Sequence, residues 1–239
     1  MNILIIGYGK MGKMIEQEAI RRNHKIAGIV DVDDSLEDFD VSKADVAIEF
    51  TRPESVMKNI EICIKKGLPL VVGTTGWYDR LNEVKSCVAD NKASFMYSSN
   101  FSVGVYLFRK LNLCLAKMMG DVKGYEPSLT EIHHIHKLDA PSGTAITLAQ
   151  DLMSVYPQKT TWKLGEVEKD TDLSITSIRE GEEFGTHIVS YNSTEDLIEI
   201  KHKAKSRKGL ASGAVMAAEF LKGKQGFFTM DDMMKNFLN

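Results

Sequence analysis

The chain has 239 residues, of which 43% are hydrophobic and 26% charged, values that are ordinary for a globular protein. Lys and Arg together number 30 and Asp and Glu 33, so the formal net charge of −3 gives no electrostatic footprint for nucleic acid. The apolar run at residues 3–6 is too short for a signal peptide or a membrane span. We therefore expect neither a nucleic-acid nor a membrane partner.

The three cysteines, Cys63, Cys87 and Cys114, are widely spaced and flanked by apolar residues. No C-x-x-C pair occurs, which argues against a structural metal or a redox dithiol. The pattern predicts buried free thiols and a location in the reducing cytoplasm.

A G-x-G-x-x-G motif at residues 7–12 follows the apolar run 2–6, which predicts a strand buried on both faces. A helix is predicted directly after it, at residues 13–22, so the motif lies between a strand and a helix. In that context Gly7 permits a tight turn, Gly9 lets the backbone approach a pyrophosphate, and Gly12 lets helix and strand pack closely. The motif therefore predicts a dinucleotide site at a helix N-terminus.

Asp31 ends the second predicted strand, residues 25–30. An acid at this position is expected to accept hydrogen bonds from the adenosine ribose and to repel a 2′-phosphate. Val32 follows and cannot counter the repulsion, so the sequence favours NADH over NADPH as the cofactor. Lys10 and Lys13 would weaken this preference if either reached the ribose, and a solvated strand-end acid is the alternative interpretation.

Three further strands are predicted at residues 44–50, 68–72 and 94–97, and Gly, Ser and Thr residues follow the last two at 73–76 and 98–101. In an open parallel sheet the carboxyl ends of the strands share one edge, where ligands bind. The convergence of small and polar residues on this edge predicts a Rossmann-type cofactor domain.

The pattern changes after an apolar helix predicted at residues 103–119. A mixed or antiparallel sheet with one covering helix fits the following elements. These are a strand at 128–136, a helix at 143–155, a polar loop at 157–171 and strands at 173–178, 187–191 and 197–202.

Two closing helices, predicted at residues 212–221 and 231–238, are expected to return to the first domain. The predicted fold class is thus α/β, a Rossmann-type parallel sheet plus an α+β domain with a mixed sheet. The dinucleotide-binding domain would comprise residues 1–101 and 208–239. Residues 102–207 would form the substrate-binding and oligomerisation domain.

Three of the six histidines lie within four positions in the segment E-I-H-H-I-H-K-L-D-A-P-S-G-T-A, residues 131–145. On a strand His134 and His136 would share one face, with His133 and Lys137 on the other. The segment could be a zinc site, a bland polar strand face, or a site for proton transfer and anion binding. Catalytic zinc usually draws a ligand from a distant element, and Lys137 would set a cation beside the metal, so we favour the third interpretation with no metal.

Ser142, Gly143 and Thr144 stand at the start of the predicted helix that follows the histidines. N–H groups, a hydroxyl and the helix dipole make such a start an anion site. Together with a nicotinamide hydride source, the segment predicts a small substrate that carries carboxylates.

The segment at residues 131–145 closely resembles the signature of the 4-hydroxy-tetrahydrodipicolinate reductase (dihydrodipicolinate reductase) family of bacterial lysine and diaminopimelate synthesis. The similarity extends in order through F-T-R-P at 50–53, G-T-T-G at 73–76, N-F-S-V-G at 100–104 and H-K-A-K-S-R at 202–207. The resemblance implies NAD(P)H-dependent reduction of 4-hydroxy-tetrahydrodipicolinate to tetrahydrodipicolinate. It also implies a homotetramer assembled through the sheet of the substrate domain.

By this resemblance His133 is the catalytic acid/base and Lys137 a proton donor, while His134, Gly143 and Thr144 hold the substrate carboxylates. The resemblance also implies the residues that line the cofactor: Gly7, Tyr8, Gly9, Lys10, Met11, Gly12, Asp31, Gly73, Thr74, Thr75, Ser98, Ser99, Asn100 and Phe101. Two alternatives stay open on the residues alone. One is another small-molecule NAD(P)-dependent reductase, and the other is a non-catalytic nucleotide-sensing module.

Overall fold

The computed structural model describes residues 1–235, and the chain divides into two compact units. The first unit comprises Met1–Val103 and the chain from Arg207 onwards, and the second comprises Gly104–Ser206. The chain thus leaves and re-enters the first unit close to the crossings expected near residues 101 and 207. The cofactor and substrate roles assigned to the units stay predictions.

Helices and strands alternate through the first unit, and strands dominate the second. The elements in chain order are β1 (Asn2–Ile6), α1 (Lys10–Arg21), β2 (Lys25–Val30), β3 (Val46–Glu49), α2 (Pro53–Lys65), β4 (Leu70–Val72), α3 (Leu81–Asp90), β5 (Ser94–Tyr97), α4 (Val103–Met119), β6 (Glu126–His133), α5 (Gly143–Met153), β7 (Thr161–Leu164), β8 (Asp172–Arg179), β9 (Thr186–Asn192), β10 (Leu197–Lys203), α6 (Lys208–Leu221), β11 (Gly226–Phe228) and α7 (Met230–Met234).

The first unit contains a six-stranded parallel sheet in the order β11-β5-β4-β3-β1-β2. All four residues of β3 and all three of β4 are buried, as expected for strands covered on both faces. The predicted Rossmann-type sheet is therefore confirmed. Strand β11 was not predicted, because its three residues are too few to show a pattern.

The second unit contains a five-stranded mixed sheet in the order β10-β9-β6-β8-β7. Strands β6, β8 and β7 run parallel to one another, and β9 runs antiparallel to both β6 and β10. This confirms the predicted mixed sheet. Apolar residues of α4 and α5 pack on one face, where the buried cluster includes Phe108, Ala116, Leu148, Leu152, Leu129, Ile175 and Val189.

Strand β6 ends at His133, not at residue 136. Its partner β8 ends at Arg179, opposite His133, and the Glu180 N–H donates to the His133 carbonyl across 2.8 Å. The chain then turns, with the His134 N–H donating to the Glu183 carbonyl at 2.8 Å. The expectation that His134 and His136 share a strand face was therefore wrong, because the ladder that would extend the strand has ended.

The predicted polar loop at residues 157–171 contains strand β7, which lies at the edge of the mixed sheet. Only Trp162 of its four residues is partly buried and packs against the core, so the strand has no clear apolar alternation. The last predicted helix is observed as α7, and its expected extension to residue 238 lies outside the described residues.

Cys63 is buried, Cys87 half-buried and Cys114 exposed. The expectation of buried thiols was wrong for Cys114, which lies on the solvent face of the amphipathic helix α4. Among residues 1–235, no helix is both long and apolar enough to cross a membrane.

Candidate active site

The glycine-rich loop after β1 has the three steric features that the motif predicts. Gly7 has a φ of +89°, and a Cβ there would lie 2.2 Å from the Phe50 carbonyl oxygen at the end of β3. A Cβ on Gly12 would lie 2.2 Å from the Gly7 carbonyl oxygen, which explains the close packing of α1. A Cβ on Gly9 would meet nothing within 4 Å, so its backbone is open to approach.

Strands β2 and β3 pair with opposite sides of β1, which makes the β1–β3 junction the point where strand order reverses. Asp31 lies at the same edge, where its Oδ1 accepts a hydrogen bond of 3.1 Å from the Tyr8 N–H. Val32 is 87% exposed. Of the remaining loop residues, Lys10 is exposed and Met11 half-buried.

Segments 73–75 and 98–101 end the neighbouring strands β4 and β5. Their exposed members are Thr75 and Ser99, whereas Ser98 and Asn100 bond each other in a local turn. Thr74 is buried and accepts from the Thr51 N–H at 2.7 Å. Phe101 is only 1% exposed and therefore belongs to the interior.

Residue 73 has no room for a side chain, because a Cβ on Gly73 would lie 2.1 Å from the Phe50 ring. Sequence reasoning missed Glu49, which precedes that ring and is fully buried. Burial raises the pKa of its carboxyl, and hydrogen bonds from Thr51, Thr74 and Asn59 oppose the rise. Glu49 therefore ties together the ends of β3 and β4 beneath the predicted cofactor edge.

A polar cluster continues the core face of the mixed sheet in the second unit. Along β6 alternate residues are buried, so Leu129, Glu131 and His133 face the same side. The strand registers then bring polar partners to that side, pairing Glu131 with Ser177 and His187, and His133 with Arg179. The apolar face thus gives way to a polar one at the same end of three adjacent strands.

Glu131 is the centre of this polar cluster and is fully buried. Its Oε2 lies 2.6 Å from Nδ1 of His133. Its Oε1 accepts from Nη2 of Arg179 at 2.9 Å and from the Ser142 N–H at 3.3 Å. Burial alone would raise the pKa of Glu131, but hydrogen bonds from His133, Ser177, Ser142 and Arg179 together lower it below its usual range. Glu131 is therefore a carboxylate at neutral pH.

His187 is 4% exposed, and its ring meets that of His133 edge to face with centroids 5.2 Å apart. Burial first, and then the charge of a protonated His133, lower the pKa of His187 to about 4. A neutral His187 can accept from the hydroxyl of Ser142, which lies 3.2 Å from its Nε2. The lowered pKa keeps the imidazole of His187 neutral near neutral pH.

Helix α5 begins at this cluster. Ser142 is its N-cap, and its Oγ accepts from the Ala145 N–H at 3.2 Å. Gly143 is exposed and Thr144 half-buried in the first turn. The first turn of a helix offers N–H groups and a partial positive charge to an anion. The histidine cluster and the start of α5 are therefore joined through Ser142.

The other histidines of the segment lie on the turn after β6. Nζ of Lys137 lies 2.7 and 2.9 Å from the two carboxylate oxygens of Asp139. His134 is half-buried, with its carbonyl accepting from the Lys137 N–H at 3.1 Å. The side chain of His136 is 70% exposed, 3.5 Å from the Glu182 carboxylate. Only His133 of the three belongs to the buried cluster.

Among the residues that the structure describes, Glu131, His133 and His187 offer ligand atoms within 4.8 Å of one another. That spacing would admit a metal ion. Arg179 already supplies a positive charge to the Glu131 carboxylate at 2.9 Å, which disfavours a divalent cation beside it. We therefore keep the metal-free interpretation as a prediction.

Sequence reasoning missed Glu131, Arg179 and His187. Arg179 and His187 lie far along the chain from residues 131–145, on strands whose pairing was not predicted. The available signal was the alternation in β8 and β9, where apolar core-face residues are followed by Ser177 and Arg179, and preceded by His187.

Two models of one known protein family match the chain, one for each of its two parts. The family model described as "Dihydrodipicolinate reductase, N-terminus" matches residues 1–101, and that described as "Dihydrodipicolinate reductase, C-terminus" matches residues 104–234. A 4-hydroxy-tetrahydrodipicolinate reductase from Christiangramia forsetii is 45% identical over 238 residues, covering 99% of this chain and 98% of the relative. One from Archaeoglobus fulgidus is 34% identical over 253 residues, covering 95% of this chain and 96% of the relative.

The fold agrees with a solved structure of the same kind. Dipicolinate-bound dihydrodipicolinate reductase from Paenisporosarcina sp. TG-14 superimposes with a TM-score of 0.78 at 22% identity, covering 100% of both chains. The glycine-rich edge, the buried histidine cluster, the two family matches and these relatives agree. The chain therefore belongs to the dihydrodipicolinate reductase family.

Proposed function

We propose that the chain reduces 4-hydroxy-tetrahydrodipicolinate to tetrahydrodipicolinate with a nicotinamide cofactor, in lysine and diaminopimelate biosynthesis. The observation that carries the proposal is the link between the histidine cluster and the N-terminus of α5. Ser142 bonds Glu131 through its N–H at 3.3 Å and lies 3.2 Å from His187 through its hydroxyl. One unit thus combines a proton-transfer group with a carboxylate-binding helix start.

A bound nicotinamide supplies the hydride that replaces the substrate hydroxyl. The hydroxyl needs one proton to leave as water, and His133 is the donor in this proposal. His133 is 8% exposed, so water competes poorly for its proton. Lys137 would be a further source of this proton once substrate displaces Asp139, its partner at 2.7 Å.

The substrate is a dicarboxylate, and we assign one carboxylate to the first turn of α5, at Gly143 and Thr144. His134 would contact the same anion from the turn after β6. Helix N–H groups hold a carboxylate well only when no closer acceptor takes them. Ser142 Oγ already takes the Ala145 N–H at 3.2 Å, which leaves the preceding amides for the substrate.

The cofactor would be bound at the carboxyl edge of the parallel sheet, by Gly7–Gly12 and the predicted residues after β2, β4 and β5. Asp31 supports a preference for NADH, since its contact with the Tyr8 N–H at 3.1 Å fixes it beside the loop. Val32 adds no positive charge there. We expect kcat/KM with NADH to be at least as high as with NADPH, and a strong NADPH preference would refute this part.

We also propose a homotetramer that assembles through the sheet face opposite α4 and α5. That face presents hydroxyl and aliphatic side chains that are half-buried or exposed, namely Ser128, Thr130, Ile132, Ile178, Ile188 and Ser190. Glu199, Lys201 and Lys203 of β10 lie at the margin of the same face, and an uncharged centre with a charged rim suits a sheet-to-sheet interface. Light scattering should give four chains per particle, and Thr130→Lys should dissociate it. A wild-type monomer at micromolar concentration would contradict the assembly.

The activity is tested with substrate made by enzymatic condensation of pyruvate with aspartate semialdehyde, while cofactor oxidation is followed. His133→Ala should lower kcat by roughly 10²–10⁴-fold, the scale of general acid–base help, with NADH affinity retained. His136→Ala is the matched control, because that side chain is 70% exposed and outside the cluster. Wild-type kcat in His133→Ala would refute the role of His133.

A further inference from the structure

The contact between Glu131 and His133 selects one nitrogen of the imidazole. Oε2 of Glu131 lies 2.6 Å from Nδ1 of His133, two residues further along the same face of β6. At 2.6 Å a carboxylate oxygen and a ring nitrogen without hydrogen would repel each other through their lone pairs, so Nδ1 must carry a hydrogen. Nε2 is then the nitrogen left to exchange a proton with a ligand.

The carboxylate of Glu131 is itself held in place by hydrogen bonds to its other oxygen, Oε1. Nη2 of Arg179 donates to Oε1 at 2.9 Å, and the Ser142 N–H donates to the same atom at 3.3 Å. Nη2 of Arg179 also donates to the Asp139 carbonyl at 2.6 Å, which fixes the guanidinium. The carboxylate therefore cannot rotate without breaking two hydrogen bonds in a buried site.

The Nε2 edge of His133 faces a glycine. Gly185 has a φ of +140°, and a Cβ built on it would lie 3.0 Å from Nε2. Any side chain at this position would crowd that nitrogen. A glycine at this position therefore avoids crowding Nε2 with a side chain.

We propose that Glu131 is a positioning residue of the reductase, holding the Nδ1 proton of His133 so that Nε2 delivers the proton to the substrate. This inference rests on the proposed function, in which His133 is the proton donor. In the step, the proton moves from Nε2 to the departing hydroxyl, which leaves as water. His133 becomes neutral with its remaining proton still on Nδ1, facing Glu131.

Other charged and titratable groups surround the pair. Arg179 lies on β8, and His187 and His202 lie on β9 and β10. Lys137 and Asp139 lie on the turn after β6, and both interact electrostatically with the cluster. Burial lowers the pKa values of His187 and His202, which favours the neutral form of both imidazoles. Glu131 is the negative charge in contact with the His133 ring.

The first test reads the tautomer directly and needs no substrate. The imidazole nitrogens of wild-type chain are isotope-labelled and their NMR shifts recorded above the pH where His133 loses a proton. The expected result is hydrogen on Nδ1. A wild-type His133 with its hydrogen on Nε2 overturns the proposal, whatever the variants do.

Glu131→Gln should reverse the tautomer. Arg179 and the Ser142 N–H both donate to the Oε1 position, so they will hold the amide oxygen of Gln there. The amide NH2 group then faces Nδ1, which must become an acceptor, and the hydrogen moves to Nε2. Glu131→Asp keeps the charge and should keep hydrogen on Nδ1. An unchanged tautomer in a folded Glu131→Gln protein overturns the proposal.

The second test is kinetic. Glu131→Gln should lower kcat by roughly 10²–10⁴-fold, as expected when a catalytic imidazole is held in the wrong tautomer. The KM for substrate should stay within about twofold, since the interaction acts in the chemical step. The alkaline limb of kcat should move to lower pH, because the protonated imidazole loses its adjacent negative charge. The kcat of Glu131→Asp should be at least about tenfold higher than that of Glu131→Gln.

Glu182→Gln is the matched control. It removes a carboxylate that contacts an exposed imidazole, that of His136, at 3.5 Å, and should leave kcat and its pH profile unchanged. Equal kinetic losses in Glu182→Gln and Glu131→Gln would overturn the proposal. If wild-type chain does not turn over the substrate, the proposed function fails, whereas the tautomer of His133 still decides whether Glu131 positions it.

Discussion

The substitution His187→Gln should reduce the loss of folding stability that occurs as the pH falls from neutral to acidic values. The pKa of His187 is lowered from 6.5 to about 4, chiefly by burial and then by the charge of a protonated His133. As pH falls through this window the unfolded chain binds a proton that the folded chain does not, so stability falls with pH. At about 1.4 kcal/mol per pKa unit, the full loss from this residue is about 3 kcal/mol.

Denaturant unfolding at about pH 7 and about pH 4 measures the effect. Between these pH values the free energy of unfolding of wild-type chain should fall by about 3 kcal/mol more than that of His187→Gln. At neutral pH the free energy of unfolding of His187→Gln should be about 1 kcal/mol lower than that of wild-type chain, because the hydrogen bond to Ser142 is weakened. His136→Gln is the control, since an imidazole whose side chain is 70% exposed changes its hydration little on unfolding.

An equal acid loss in wild type and His187→Gln would refute the reasoning. It would mean that His187 takes up its proton in the folded chain as readily as in the unfolded one. The neutral His187 assigned to the cluster would then be wrong.

Three further predictions concern the cofactor edge and the metal. Gly12→Ala should lower stability by about 1–3 kcal/mol, because its Cβ would lie 2.2 Å from the Gly7 carbonyl oxygen. Gly9→Ala, with nothing within 4 Å, should keep stability but weaken NADH binding; equal stability losses in a denaturant titration would contradict this. Asp31→Asn should raise the NADPH/NADH ratio of kcat/KM by roughly tenfold, or about 1.4 kcal/mol, and an unchanged ratio would exclude a role for its charge. Dialysis against a chelator should leave kcat unchanged, whereas a loss that zinc restores would show that Glu131, His133 and His187 bind metal.

The parallel sheet was predictable because its strands are local signals. The runs at residues 2–6 and 68–72 are almost wholly apolar and end at glycine, as expected for strands buried on both faces. The roles of Gly7 and Gly12 followed from the motif, and the close approaches at 2.2 Å agree with it. Strand β11 was not predicted, because three residues are too few to show an alternation of apolar and polar side chains.

The histidine cluster was only half predictable. His133 was found from its own segment, but the end of β6 is set by where β8 ends, at Arg179. Glu131 meets His187 through an antiparallel register and Arg179 across 48 residues of sequence. Such pairings depend on tertiary register, which local alternation does not contain. Sequence therefore located the proposed proton donor without the carboxylate that faces it.

The central claim is that His133 donates the proton that accompanies hydride transfer. A single-turnover experiment tests it most directly, with enzyme in excess, NADH bound, and oxidation followed by near-ultraviolet absorbance after mixing with substrate. Wild-type chain should oxidise one NADH per substrate in a fast phase. His133→Ala should show the same amplitude at a rate lower by roughly 10²–10⁴-fold. Equal rates in both proteins would contradict the account.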